Sequence, residues 1–153
     1  MKISQSKDYQ LIAKLNKQVH DLHSTLYPSY FKEYNYEEIK DVFKECMKNK
    51  SFIFLLVEDN DVAVGYAWIG IRDYTEDAFK KAYNSVYVHQ ISIDETKQHK
   101  GYGSRLMEEV YAIAKNNGID LIELDYWFDN NVAKEFYQKQ GFSPYREFVY
   151  KKV

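Results

Sequence analysis

Gln98-His99-Lys100-Gly101-Tyr102-Gly103 is the stretch that decides the fold of this 153-residue chain, because a phosphate-binding pattern and a change of secondary structure coincide there. An apolar segment precedes it and an amphipathic segment starting near Ser104 follows, so we predict a loop between a strand and a helix. The glycines allow positive φ angles and close approach to a ligand. The first helical turn adds unpaired N–H groups and the positive end of the helix dipole, a combination that binds phosphate.

The residues of this loop exclude two common classes of phosphate-binding site. Gln98 and Lys100 can add donors, and Ser104 can cap the helix or contact an oxygen. A P-loop requires Gly-Lys followed by Ser or Thr, and the chain has none. The dinucleotide fingerprint requires a third glycine, and Leu106 stands in its place. The pattern that fits is Gln/Arg-x-x-Gly-x-Gly/Ala between a strand and a helix.

Hydrophobic periodicity predicts the elements before the loop. They are a helix over residues 8 to 26, a helix over 36 to 48, strands over Ser51–Val57 and Val62–Ile71 that form a hairpin, and a strand over 85 to 93. Residues 72 to 84 are polar, and the sequence leaves a loop or a short helix around 76 to 82 open there.

The same patterns predict the elements after the loop. They are a helix over 104 to 117 ended by Gly118, a strand over Ile119–Trp127, a helix over Asn130–Gln140 ended by Gly141, and a last strand over Phe142–Tyr150. Strand-helix-strand units imply parallel pairing in this half, and the hairpin implies antiparallel pairing in the first half. We therefore predict one α/β (α+β) domain over residues 1 to 153, with a mixed sheet.

Composition excludes several classes of protein. The net charge is −2 and the basic residues are scattered, so no nucleic-acid partner is expected. Cys46 is the only cysteine, which excludes an intramolecular disulfide, and no metal site is expected. The chain shows neither a signal-peptide pattern nor a run of 18 apolar residues, so we expect no membrane association and a cytoplasmic location.

Two motifs together resemble the GNAT superfamily of N-acetyltransferases. Ile91-Ser92-Ile93, then Gln98 to Gly103, then a helix with Leu106 and Met107, resembles the main cofactor motif of that superfamily. Asn130-x-x-Ala133-x-x-Phe136-Tyr137-x-x-x-Gly141-Phe142 is similar to its Asn-x-x-Ala-x-x-Leu-Tyr-x-x-x-Gly-Phe helix and strand. As a topology the resemblance covers nearly the whole chain, and it is weakest in residues 1 to 50.

The resemblance implies a fold and a donor site. The fold would have a mostly antiparallel central sheet, a splayed parallel pair of strands in its middle, and helices on both faces. Acetyl-CoA would be the co-substrate. The residues implied for its binding are Ile91, Ser92, Ile93, Gln98, His99, Lys100, Gly101, Tyr102, Gly103, Ser104 and Asn130. The backbone N–H near Ile91 would polarise the thioester carbonyl, and Asn130 would bind the cofactor, cap its helix, or both.

The resemblance also implies direct attack of an amine on acetyl-CoA. Tyr137 matches the proton donor to the departing thiolate, although a core tyrosine is the alternative. The sequence offers four general bases, none of them preferred: Tyr87, His89, Glu123 and Asp125. Aromatic and acidic residues are concentrated between positions 20 and 36. They either form a binding surface for the cationic amine of a small molecule or peptide, or they cap the hydrophobic core.

Two alternatives to an enzyme stay open at this point. A non-catalytic CoA-binding or sensor domain would keep the loop and would not need a proton donor at Tyr137. A structural or interaction protein would bind no cofactor at all. The identity of the acceptor amine is not determined by the sequence, and an exposed edge strand leaves a homodimer open.

Overall fold

The computed structural model describes all 153 residues, which form five strands and four helices. In chain order these are β1 (Lys2–Gln5), α1 (Tyr9–Leu26), α2 (Tyr36–Cys46), β2 (Phe52–Asp59), β3 (Val62–Tyr74), β4 (Tyr83–Ile93), α3 (Tyr102–Asn116), β5 (Ile122–Leu124) and α4 (Asn131–Lys139). All four predicted helices are confirmed, with each end within two residues of its predicted position.

The strands form one sheet in the order β1-β2-β3-β4-β5. The first three pairings are antiparallel, and β4 pairs with β5 in parallel. The predicted mixed, mostly antiparallel sheet is therefore confirmed. The parallel pairing covers only three residue pairs, from Val86–Ile122 to Val88–Leu124.

Each face of the sheet is covered by two helices. On one face α1 and α2 bury a core that includes Ile12, Phe43 and Tyr66. On the other face α3 and α4 cover a larger core, in which Leu106 and Val110 are completely buried. The apolar stripes that predicted the helices are thus their buried faces.

The last predicted strand, Phe142–Tyr150, is wrong. The Phe142 N–H donates to the Tyr137 carbonyl at 3.0 Å, and no later residue makes a backbone–backbone hydrogen bond. A strand needs a paired edge as well as β-forming residues, and residues 143 to 153 have no such partner in the chain. As a result β5 is an edge strand, and the parallel pair lies at the end of the sheet.

Other boundaries differ from the sequence prediction in smaller ways. The strand predicted over Ile119–Trp127 is limited to β5. The polar residues 72 to 84 extend β3 and β4, with a loop between them rather than a helix. There Asp77 accepts hydrogen bonds from the N–H groups of Phe79 and Lys80. The sequence analysis missed β1, which is only four residues long and has no clear alternation.

Two local features of β4 shape the site described below. The register with β3 shifts between Trp68 and Ile69, which leaves His89 as an extra residue in a β-bulge. Further along, β3 approaches β4 very closely at Gly65. A Cβ atom there would lie 2.5 Å from the Ser92 carbonyl oxygen and 2.6 Å from Cδ1 of Ile93. Only glycine fits at this position without moving the backbone.

We predict that Gly65→Ala destabilises the fold by about 1–3 kcal/mol, because the new methyl group must push β3 away from β4. For a chain of this length the loss corresponds to a decrease in Tm of roughly 2–4 °C per kcal/mol. Thermal unfolding followed by circular dichroism measures it. An unchanged Tm would contradict the close packing described for these two strands.

Candidate active site

The loop before α3 presents a continuous row of free backbone donors. The N–H groups of His99, Lys100 and Gly101 make no hydrogen bond to the backbone. The first three residues of α3, Tyr102 to Ser104, add N–H groups that have no intrahelical partner. Six consecutive amides at the positive end of a helix dipole form a site for an anion such as a pyrophosphate.

Two left-handed residues bend the loop into this shape. Gly101, the N-cap of α3, has φ +86°, and His99 has φ +61°. Residues of opposite handedness in sequence turn successive N–H groups toward one point, as in anion-binding nests. Gly103 has a different role, since a Cβ atom there would lie 3.2 Å from the ring of Phe136 on α4. The two glycines therefore serve loop geometry and helix packing, respectively.

The side chains of the predicted loop residues mostly make hydrogen bonds within the protein. Gln98 donates to the Ile93 carbonyl at 3.2 Å, and Lys100 donates to the Thr96 carbonyl at 3.2 Å. The buried Tyr102 side chain points away from the loop, and its hydroxyl is the main cause of a lowered pKa at Asp59.

The Ser104 hydroxyl accepts from Nε2 of Gln140 at 3.1 Å, which ties α3 to the end of α4. The sequence predicted binding by these residues, which stays a prediction; in the structure their side chains bond within the protein, while the backbone N–H groups of residues 99 to 104 are free.

An opening beside β4 leads away from the loop. Pairing with β5 stops at Val88, so the backbone from His89 to Ile93 has no strand on that side. The side chains of Ile91 and Ile93 pack against the core under α3 and α4. Ser92 faces the other way, with its hydroxyl 3.5 Å from the Leu15 carbonyl on α1. The backbone of these three residues is therefore unpaired on that side, and its predicted contact with a cofactor stays a prediction.

Tyr137 lies on α4 and is 8% exposed. Its ring stacks on Tyr126 at 6.2 Å and meets Phe136 and Phe142 edge-on. Burial raises the pKa of Tyr137 far above its ordinary value, and nearby Tyr111 adds to the effect. The phenol therefore stays protonated and can donate a hydrogen bond throughout the physiological pH range.

Asn130 caps α4, which was one of its two predicted roles. Its Oδ1 accepts from the Ala133 N–H at 3.1 Å, and the residue is 8% exposed. This bond leaves the two hydrogens of its Nδ2 available to another acceptor. A bond from Asn130 to a cofactor is compatible with the cap and stays a prediction.

The four base candidates occupy different environments. His89 stacks on Trp68 with ring centroids 4.3 Å apart and meets Phe52 edge-on at 5.1 Å. Desolvation, and then the charge of Arg72, lower the pKa of His89 to about 4. Such a histidine is uncharged at pH 7 and only weakly basic, and its buried Nε2 has no hydrogen-bond partner. Its aromatic packing argues for a structural role.

Tyr87 and Asp125 come together beside His89. The Tyr87 hydroxyl donates to Oδ2 of Asp125, and the Arg72 guanidinium lies 3.5 Å from the centroid of the Tyr87 ring. Desolvation, and then the hydrogen bond to Asp125, raise the pKa of Tyr87 to about 12. Asp125 is exposed just past the end of β5, where it can reach a ligand in the opening.

Glu123 is the fourth base candidate, and it is buried at the middle of β5. Its Oε2 accepts a hydrogen bond from the Tyr145 hydroxyl, and its Oε1 has no partner. The structure thus places Glu123 beside the paired part of β4, further from the opening than Asp125.

An aromatic wall joins the connection between α1 and α2 to the residues that follow β5. Trp127 packs against Tyr27, Tyr30 and Phe31 with centroids 4.5 to 5.6 Å apart. Tyr27 also donates to Oδ2 of Asp129 at 2.8 Å and accepts from its backbone N–H at 2.9 Å. The aromatic residues over 20 to 36 were predicted as an acceptor wall or a core cap, and three of them pack on Trp127 after β5.

The sequence analysis did not single out Arg72, Trp127 or Asp129. Trp127 and Asp129 follow β5 within five residues, next to the predicted Asp125, and this position after a parallel strand is a usable signal. Arg72 reaches the site from β3 by stacking on Tyr87, and its local sequence contains no such signal.

The family of the chain follows from comparison with known proteins. Residues 16–142 match the model of the acetyltransferase (GNAT) family. That range is well over half of the chain, so this protein belongs to the GNAT family of acetyltransferases. Acyl transfer is the activity that this membership implies, as the two sequence motifs predicted.

Individual relatives agree with the family. An uncharacterized N-acetyltransferase of Methanocaldococcus jannaschii, MJ1207, is 29% identical over 120 residues, which are 73% of this chain and 50% of that protein. The chain spans about half the length of the curated relatives it matches.

Solved structures share the fold. A mutant of the BH1408 protein from Bacillus halodurans has a TM-score of 0.94 at 23% identity, covering 100% of this chain and 99% of that one. A "predicted acetyltransferase" from Clostridium acetobutylicum, solved with acetyl-CoA, has a TM-score of 0.73 at 17% identity over 99% and 95% of the two chains.

The longest helix, α1, has 18 residues and includes the charged residues Lys14, Lys17 and Asp21. None of the helices has the length and apolar character that crossing a membrane requires.

We predict that Gly101→Ala weakens CoA binding roughly fivefold, because a Cβ at φ +86° costs about 1–2 kcal/mol and distorts the row of amides. Isothermal titration calorimetry with CoA measures the change. Gly118→Ala is the matched control, since Gly118 has φ +66°, equally open space around it, and a position at the far end of α3. Equal CoA affinity in both variants would contradict the role of the loop.

Proposed function

We propose that this protein transfers the acetyl group of acetyl-CoA to a primary amine of a small molecule or peptide. The observation that carries the proposal is the row of six free amides before α3. The unpaired side of β4 and the buried phenol of Tyr137 support it. In acetyl-CoA an extended arm joins the pyrophosphate to the thioester, and in this proposal the amide row would hold the first and the region near Tyr137 the second.

The donor would bind mainly through backbone groups. Its pyrophosphate would accept hydrogen bonds from the amides of His99 to Ser104, with Lys100 and Gln98 free to reorient toward it. Its pantetheine arm would lie beside the unpaired backbone of Ile91, Ser92 and Ile93. Asn130 would contribute the free hydrogens of its Nδ2.

The reaction would be a direct attack. The amine nitrogen forms a bond to the acetyl carbon, the carbon–sulfur bond breaks, and the electron pair leaves with the sulfur as a thiolate. A backbone N–H near Ile91 would stabilise the oxyanion of the tetrahedral intermediate. Tyr137 would stabilise the thiolate by donating a hydrogen bond, and its raised pKa keeps the donor present.

The acceptor would lie between the aromatic wall and Asp125. Aromatic faces attract an ammonium group, and Asp125 and Asp129 add negative charge beside them. Asp125 is the base candidate that the geometry favours, since it is exposed at the opening while His89 is stacked and Glu123 is buried. It would accept the proton released by the amine, directly or through a water molecule.

The location in the cell belongs to the same proposal. The lone Cys46 is half-buried and unpaired, which suits a reducing compartment, and we propose that the protein acts in the cytoplasm.

We predict that Tyr137→Phe reduces kcat roughly 10²-fold, because the thiolate loses its hydrogen-bond donor. CoA affinity should stay within a factor of two, as the phenol contributes little to binding the rest of the cofactor. Release of free thiol from acetyl-CoA, measured over a panel of amines, reports the rate. Tyr111→Phe is the control, since it removes a neighbouring hydroxyl that bonds only Gln140.

The same panel separates the alternatives. If no amine releases thiol while CoA still binds, the chain is a binding or sensor domain. If CoA produces no thermal shift at millimolar concentration, a cofactor-free interaction protein is the better description. If Tyr137→Phe turns over at the wild-type rate, Tyr137 is a core residue only.

We predict that Asp125→Asn lowers kcat about tenfold or more, because the proposed base is lost. It should also raise the KM for a cationic amine about fivefold, the effect of losing one exposed charge–charge contact. The KM for acetyl-CoA should not change. Asp120→Asn is the matched control, because Asp120 is an exposed aspartate at the opposite end of β5. Equal effects of the two substitutions would show that Asp125 has no role in binding the acceptor.

A further inference from the structure

Arg72 is a half-buried cation without a counter-ion in the chain. None of the ion pairs of the protein includes it. Its guanidinium lies 3.5 Å from the centroid of the Tyr87 ring, and its Nη1 donates to the Tyr74 hydroxyl at 3.3 Å. That bond uses one N–H group, and the others have no partner in the chain. A guanidinium that is partly removed from water and lacks an anion is a candidate site for one.

Aromatic contacts fix the position of this guanidinium. The Tyr87 ring supports its face, and the Tyr74 hydroxyl accepts a bond from its edge. Tyr74 in turn stacks on Tyr83, with ring centroids 4.2 Å apart. A long side chain that is already held in place loses little conformational freedom when it binds a ligand, so the contacts favour binding.

The nearest acid of the proposed acceptor site, Asp125, does not neutralise Arg72. Arg72 lies on β3 and Asp125 follows β5, so the width of β4 separates them, about 10 Å between backbones. Tyr87 on β4 lies between the two, with the guanidinium on its ring and Oδ2 of Asp125 at its hydroxyl.

Both charges act on Tyr87 from opposite sides. Desolvation is the largest cause of the raised pKa of this phenol, and among the charges Asp125 raises the pKa while Arg72 lowers it. A positive and a negative group therefore flank one phenol without forming an ion pair with each other.

This arrangement is complementary to a molecule that carries both charges. An ammonium group beside Asp125 and an anion beside Arg72 would satisfy the two side chains together, with the Tyr87 ring beneath the atoms that join them. A carboxylate fits the guanidinium, because its two oxygens accept parallel N–H bonds and its single charge matches a single cation. A simple amine would leave Arg72 without a partner.

We infer that the acceptor is an amino acid, whose amine binds near Asp125 and whose carboxylate binds Arg72. The inference rests on the proposed acetyl transfer and narrows its acceptor from primary amines to zwitterions. Arg72 is then a specificity-determining residue, because it contacts a part of the acceptor that does not react.

The carboxylate passes through the reaction unchanged. The amine nitrogen bonds to the acetyl carbon as the carbon–sulfur bond breaks, and the electron pair leaves with the sulfur. One of the protons that the ammonium nitrogen loses goes to the sulfur, and the other passes through Asp125 to solvent. The product is an N-acetyl amino acid that keeps the negative charge of its carboxylate.

Thiol release from acetyl-CoA over two matched panels tests the inference. One panel contains α-, β- and γ-amino acids, and the other contains the amines that lack only their carboxylate. The best acceptor is expected to be an amino acid, with a kcat/KM about tenfold or more above that of its amine counterpart. An amine that reacts as well as the best amino acid would overturn the inference and leave acetyl transfer intact.

Two other results of these assays would also contradict the inference. A preference for O-phosphoethanolamine over every amino acid would show that Arg72 receives a phosphate. If neither panel nor O-phosphoethanolamine released thiol, the proposed acetyl transfer would itself fail, and the inference with it.

Substitution of Arg72 tests the residue directly. Arg72→Gln should lower kcat/KM for the best amino acid about tenfold, mostly through KM, and leave the value for its amine counterpart within a factor of two. Arg72→Lys keeps the charge but not the fork, and it should fall between. Equal changes for the acid and the amine, or none for either, would show that Arg72 does not bind a carboxylate.

Lys115→Gln is the matched control for the loss of a positive charge. Lys115 is exposed in the last turn of α3, on the other face of the sheet, and should change neither value. Thermal unfolding followed by circular dichroism verifies that each variant is folded, and the amine counterpart reports an intact donor site.

Discussion

The short parallel pairing of β4 with β5 is the constraint on which the rest of the site depends. Only three residue pairs join the two strands, and β4 continues for five residues beyond them. This extension exposes the backbone of β4 on one side without unfolding it, because β3 still holds the other side. The close approach at Gly65 keeps that side rigid. A longer β5 would pair with His89 to Ile93 and close the opening, so the activity we propose requires β5 to be short.

Electrostatics in this site come more from the backbone than from charged side chains. The anion site consists of amides held by Gly101 and His99 at positive φ, while Gln98 and Lys100 donate to nearby carbonyls. Backbone dipoles cannot titrate, and they are oriented before a ligand arrives. Tyr137 follows the same logic, because burial keeps its phenol neutral. The negative charges of Asp125 and Asp129 lie at the proposed acceptor side, where they would attract a cation.

The features that could be predicted from the sequence are those that depend on local patterns of residues. Apolar stripes predicted the four helices, and the glycine loop predicted the amide row before α3, since both depend on residues near one another in the chain. Contacts between distant elements were not predictable in the same way. The stacking of Arg72 on Tyr87 and of His89 on Trp68 depends on a register shift between β3 and β4 that no local pattern records. The prediction for Phe142–Tyr150 failed for a related reason: its residues favour a strand, but whether a strand forms depends on an edge elsewhere.

The brevity of β5 connects the donor site to the C-terminal segment. Three residues give β4 too little cover to close the opening, and they give any strand on the outer side too short an edge for a stable monomeric pairing. The residues Tyr145–Tyr150 favour a strand and still find no paired edge there. One short strand therefore accounts both for the unpaired backbone of β4 beyond Val88 and for the unpaired C-terminal segment.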